Sequence, residues 1–218
     1  MTAVTWRRSV RARRISLRFD VATGGVVLTL PPHASRAAGQ RLLDGSAGWI
    51  AERARRLPPA IALTDGGLVP VHGVPRRMTA AGARGVTRLD GEALLVPGDP
   101  AFLPRRVMDW LRDEARRTLV PLAHARVAQL DRTVTRVVLR DTRTRWGSCT
   151  SAGTLMFSWR LVMTPPWVQD YVVCHEAAHR VHMDHSARFW AVLDGLCPGR
   201  EAAEAWLAEE GVGLLRVG

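Results

Sequence analysis

The 218-residue sequence has no lysine, no asparagine, three cysteines and three isoleucines (Ile15, Ile50 and Ile61). All 31 of its basic residues are therefore arginine. That preference is a codon signature of a GC-rich genome, so the net charge of +11 is not by itself a nucleic-acid signature. Three cysteines (Cys149, Cys174, Cys197) exclude a complete disulfide framework and fit free thiols in a reducing cytoplasm. No apolar run approaches the roughly 18 residues of a spanning helix, which argues against a membrane-embedded chain. Residues 1–14 carry charge but lack the apolar stretch of a secretory signal. With 47% hydrophobic and 23% charged residues, neither a disordered nor a collagen-like chain is expected.

What is present is unevenly placed. Residues 1–98 carry 15 arginines and 6 acids, residues 99–145 carry 11 and 6, and residues 146–218 carry 5 and 8. A basic front half thus precedes a mildly acidic C-terminal part. Ile15, Leu17 and Phe19 alternate with polar residues, which predicts a strand. Gly24-Gly25 predicts a turn into a returning strand over 26–30. A helix is predicted over 35–57, with three internal glycines counting against it. Short strands are predicted at 68–71, 76–79 and 94–96. Pro97-Gly98-Asp99-Pro100 is the expected boundary between a basic β-rich region (1–98) and a second domain (99–218). There, a helix over 104–130 should be kinked or split by Pro121. Strands follow at 134–139 and 154–159, then helices at 165–181, 186–196 and 200–209. The class expected is α+β.

Four of the seven histidines fall within residues 174–185, which read CHEAAHRVHMDH. His175, Glu176 and His179 spell H-E-x-x-H. On a helix, residues i and i+4 share a face one turn apart, so both imidazoles can reach one metal ion. Glu176 sits beside the first ligand and can take a proton from a water that the metal activates. Neutral imidazoles suit zinc, whose catalytic sites use three protein ligands. Chance gives this motif in a chain of this composition on the order of one time in a hundred. Val172, Val173, Ala177, Ala178 and Val181 make the flanks apolar, as a buried site helix requires.

His182 lies about 10.5 Å along the axis from His175, too far to share a single ion with it. His185 is the expected third ligand, brought back by a turn near His182 or Met183, with Asp184, Glu201 and Glu204 as alternatives. Its spacing is that of the third histidine in H-E-x-x-H-x-x-G-x-x-H. His182 stands where that motif has its turn-making glycine, and histidine tolerates a left-handed backbone better than most residues. No methionine follows Met183, so a downstream Met-turn is excluded.

Three blocks of the sequence carry a resemblance. They are RTRWGSC at 143–149, the strand and Pro-Pro segment running into YVVCHEAAH at 171–179, and HSARFW at 185–190. Together they resemble the YgjP-like metallopeptidases, relatives of the SprT and WLM zincins. The resemblance implies a zincin-type α+β catalytic domain that holds one zinc ion per chain on His175, His179 and His185. It also implies Glu176 as general base and a peptide or protein substrate. Where the family carries Leu-Asn after the W-G-S-C strand, this chain reads Met156-Phe157-Ser158-Trp159, a departure that touches no ligand.

Trp146 is expected to pack against the site helix. Arg143 or Arg145 is expected to reach the open metal position and stabilise a developing oxyanion. A thiol-hydrolase reading of Cys149 finds no base nearby. Cys174 should point away from the ligand face, and His33, His72 and His124 read as surface or satisfied histidines. Two other functions compete with the peptidase. The same chemistry could open a phosphoanhydride, since arginine matches phosphate, although the chain has no P-loop. Alternatively, Arg7, Arg8, Arg11, Arg13, Arg14 and Arg18 could tether the protein to DNA or RNA.

Overall fold

The computed structural model describes residues 2–142 and 144–218, so Arg143 lies outside the described residues. The chain is α+β and divides into two compact units, Met1–Ala60 and Ile61–Gly218.

The first unit is built on strands β1 (Val4–Arg8), β2 (Ser16–Asp20) and β3 (Gly25–Leu30), in the order β1-β3-β2. The hairpin β2–β3 is antiparallel, and β1 adds parallel to β3. The sequence expectation began the sheet at Ile15 and did not include β1. Alternation sends Trp6, Leu17, Phe19, Val26, Leu28 and Leu30 to one face, where they form a small core with Leu43. The helix predicted over 35–57 is two helices, α1 (Arg36–Gly45) and α2 (Ala47–Arg55), broken at Ser46. Ser35 Oγ caps α1 by accepting the Ala38 N–H. Gly39 is no defect in this helix. A Cβ there would sit 2.7 Å from Trp6 and 2.8 Å from Leu28, so its absence lets α1 lie close on the sheet.

The second unit opens with β4 (Leu68–Val71), β5 (Val74–Ala80), β6 (Arg88–Asp90) and β7 (Ala93–Val96), ordered β4-β5-β7-β6. A 3-10 turn at Pro100–Phe102 leads into α3 (Leu103–Ala128). Its buried stripe is Leu103, Val107, Leu111, Ala115, Leu119, Ala123 and Val127, a residue every fourth position. Pro121 neither splits nor ends α3, because it stands on the exposed side of that stripe. Next come β8 (Arg136–Arg140), β9 (Gly147–Cys149) and β10 (Thr154–Ser158), ordered β8-β10-β9, with β8 parallel and β9 antiparallel to β10. Helices α4 (Pro166–Ala178), α5 (Ala187–Leu196), α6 (Arg200–Glu209) and α7 (Gly211–Leu214) complete the unit.

The compact units divide at 60/61, not at the expected 98/99. Leu63, Val69, Val71, Met78, Leu94 and Val96 join the same buried cluster as α3 and α4, apart from the small core of the first unit. The proline-rich stretch at 97–100 is the entry to α3. α4 is buried on almost every side, from Val168 to Ala178, which is the pattern of a central helix. Arg160 is 6% exposed. It donates to Asp141 and to the carbonyls of Leu214 and Val217, and it stacks on Trp159. Among the described residues no helix is long and apolar enough to cross a membrane.

Candidate metal centre

Pro166 at the first turn of α4 suits a helix start. The helix then carries Tyr171, His175 and Glu176 and ends at Ala178, with His179 as its cap. It stops short of the expected residue 181. The next turn is made by Arg180 and Val181 donating to the carbonyls of Ala177 and Ala178, with His182 also bonding to Ala178. The expected left-handed residue at 182 is not used. Among the described residues only His72 and Asp131 combine a side chain with positive φ. The helical-type backbone bonds already turn the chain there.

The turn brings His185 back to α4. Ring nitrogens of His175, His179 and His185 lie within 4.8 Å of one another. Nε2 of His175 and Nε2 of His185 face each other at 3.2 Å. Two nitrogens on one tetrahedral ion with bonds near 2.0–2.1 Å lie about 3.3 Å apart. His179 donates from Nδ1 to the carbonyl of His182 at 3.0 Å, which leaves Nε2 as its free ligand atom. Burial, with His179 and His185 nearby, lowers the His175 pKa to about 4, so the ring is neutral near pH 7. Burial also lowers His179, against the pull of its bond to His182. Neutral, converging imidazoles are the donor set zinc takes.

The alternative ligands are otherwise engaged or apart. Asp184 accepts the Ser186 N–H at the start of α5. Glu204 accepts the Tyr171 hydroxyl at 2.9 Å and Arg200 at 3.2 Å. Glu201 is exposed on the first turn of α6.

Glu176 is 5% exposed, and its Oε2 has no hydrogen-bond partner among the described residues. Burial raises its pKa to about 8, while the charge of nearby Arg145 pulls the other way. β9 passes directly over this carboxylate. A Cβ on Gly147 would sit 2.5 Å from Glu176 Oε1, so only glycine lets the strand approach so closely. The spacing of W-G-S-C gave the loop its glycine, but not this contact across 29 positions.

Aromatic residues fix the rings. Phe189 is fully buried, with its ring centroid 5.1, 4.6 and 4.8 Å from those of His175, His179 and His185. Trp190 flanks His185 and carries Arg200 on its face. The sequence holds the clue to Phe189 in its i,i+4 spacing from His185. The Tyr171–Glu204–Arg200 chain had no such clue.

Trp146 packs at the margin of the core beside α4 and Leu207. Arg145 is exposed, with its backbone carbonyl bonded by Thr142 Oγ1. Burial raises the Cys149 thiol above its ordinary value, which opposes a thiolate nucleophile. Cys174 is buried, and its thiol, pushed up to about 12 by burial, points at Asp170 and the Leu196 carbonyl. His33 and His124 are exposed. His72 is satisfied at both ring nitrogens, by Glu114 and Gln169 at 3.1 Å each.

In the first unit the arginines separate. Arg7 and Arg18 alternate away from the apolar face, whereas Arg8 folds back on the carbonyls of Pro31 and Pro32. Arg11, Arg13 and Arg14 are exposed between β1 and β2.

A family model described as YgjP-like, metallopeptidase domain, matches residues 14–210. No curated protein and no solved structure matches the chain.

Proposed function

The chain belongs to the YgjP-like metallopeptidase family, and from that premise we propose that it is a zinc-dependent peptidase with His175, His179 and His185 as ligands and Glu176 as general base. The observation that carries this reading is the convergence of three imidazoles, their ring nitrogens within 4.8 Å of one another, beside a buried carboxylate with an oxygen unpartnered among the described residues. Zinc held there supplies Lewis-acid polarisation of the scissile carbonyl and brings the pKa of bound water to about 7.

The protein's own groups do the rest. Glu176 takes a proton from the attacking water and later delivers it to the leaving amine. Its dry surroundings keep proton affinity high, and a cation beside it draws the carboxyl back toward ionisation. Gly147 leaves Oε1 the room to work. On β9, Ser148 faces Met156 of β10, and the neighbouring bonds run from Ser158 N to Trp146 O and from Thr150 N to Thr154 O. In an antiparallel ladder this parity turns the backbone groups of Gly147 and Cys149 outward. They offer an extended substrate an edge to pair with. Arg145, whose charge reaches Glu176, is the described residue placed to meet developing negative charge.

Metal analysis tests the reading together with cleavage of an unfolded protein substrate. Close to one zinc per chain and cleavage lost in Glu176→Gln are expected. Folded, metal-free protein from zinc-replete medium overturns it. Phosphate release from nucleoside triphosphates without peptide cleavage moves the same site to phosphoanhydride chemistry.

A second reading concerns the first unit, where 11 arginines face three acids. We propose that its exposed Arg7, Arg11, Arg13 and Arg14 contact nucleic-acid phosphates. Binding to labelled DNA should fall steeply with salt and weaken when these four are replaced together, with zinc content unchanged.

A further inference from the structure

A cavity of about 190 Å³ opens beside the histidines. Its walls are Trp146, Tyr171, Val172 and Leu207, and it is also lined by Gly147, His175 and Glu176. We propose that this cavity is the pocket that selects the substrate, by taking one medium-sized apolar side chain next to the scissile bond. The inference rests on the peptidase reading and deepens it to a substrate class.

Size argues first. Small-molecule sites run to about 300–1,000 Å³, and this one is smaller, the scale of a single side chain. Chemistry argues next. Val172 is buried. Tyr171 presents its ring, because its hydroxyl is already committed to Glu204. Trp146 lies flat against Gly211, where a Cβ would come within 3.0 Å of the indole. The apolar walls offer contact area, and the carboxylate in the lining, Glu176, leaves an Asp side chain without a partner. Glycine would leave the space empty.

Position argues last. His175 and Glu176 line the same cavity, so its occupant sits one residue or less from the reacting carbonyl. Gly147 belongs both to the cavity and to the outer edge of β9. A peptide extended along that edge sends alternate side chains to opposite faces. One enters the cavity while its two neighbours point away. Selectivity should therefore be concentrated at one substrate position.

The test uses the zinc-loaded full chain and a set of peptides varied at one residue, with Gly, Val, Leu, Met, Trp, Asp or Lys. Leu and Met should exceed Gly by at least tenfold in kcat/KM, within the roughly 10–200-fold that a methylene can command. Asp should be poor. Leu207→Ala should move preference from Leu toward Trp, and Leu207→Trp should shift preference to Gly, each with zinc content unchanged. Calorimetric binding of the same peptides to Glu176→Gln should follow the same order, a readout that does not depend on turnover. If the Leu207 variants fail to fold, Val172→Ala enlarges the same wall and carries the same expectation. Zinc-loaded wild type that cleaves no peptide overturns the peptidase reading. Cleavage whose preference is unmoved by these variants overturns the pocket alone.

Discussion

Two histidine sites in the second unit make opposite use of the same side chain. His72 stands at a positive-φ turn between β4 and β5, with each ring nitrogen engaged by Glu114 or Gln169. Gln169 donates onward to the carbonyls of Val162 and Thr164, and Arg117 closes the circle on Glu114. Both His72 ring nitrogens and the Glu114 carboxylate have protein partners, and the result is a clamp tying the β4–β5 turn to α3 and α4. At His175, His179 and His185 the ring nitrogens aim at one another instead, and Glu176 Oε2 beside them has no hydrogen-bond partner among the described residues. Satisfied polar groups stabilise a fold. A cluster left short of partners marks where a ligand completes the bonding.

The sharpest way to separate the two sets is His175→Ala. Zinc should fall from about one per chain to none, and cleavage should vanish. The wild type should lose thermal stability on chelation while this variant does not respond, because only bound ligand shifts the folding equilibrium. Glu176→Gln comes next. Zinc stays bound, and kcat falls by about 10²–10⁴-fold, the range general-base catalysis supplies. Gly147→Ala should act through the same carboxylate, since the added methyl collides with Oε1. Zinc content should hold, kcat should drop, and urea unfolding should show a loss of about 1–3 kcal/mol from overpacking. His72→Ala is the mildest. Zinc and kcat should match wild type, while stability falls by about 1–3 kcal/mol as Glu114 and Gln169 lose their shared partner. Zinc loss in His72→Ala, or zinc retention in His175→Ala, would break the contrast.

How much of this could be read beforehand follows from distance along the chain. His175, Glu176 and His179 lie within five residues on one helix, so helical geometry alone assembles them. Adding His185 needed only one turn, although the reason given for that turn, a left-handed His182, is replaced in the structure by ordinary backbone bonds. α3 was legible from its apolar stripe, yet its proline does not split it, since Pro121 stands on the exposed side of that stripe. Gly39 and Gly147 were harder still. Their value is the side chain they lack, and that shows only when Leu28 or Glu176 is brought against them. The compact units divide at 60/61 rather than at the expected residue 98 for a related cause. Prolines mark a turn, but whether a turn separates two cores depends on where Val69, Met78 and Leu94 are buried.

The anchoring of residues 214–218 has a consequence for how the protein is made. Ile61 pairs with Val217, Ile61 N–H donates to Arg216 O, and Gly218 N–H donates to Ile61 O. Arg160 grips the carbonyls of Leu214 and Val217 from inside. During ribosomal synthesis the histidines at 175–185 leave the exit tunnel before residue 217 does. Until that stretch emerges, Ile61 lacks its bridge to Val217 and Arg160 lacks two of its acceptors. Closure of the second unit therefore needs more than its metal-binding segment. A chain truncated before residue 214 should be more protease-sensitive around residue 160 than one that includes residues 214–218.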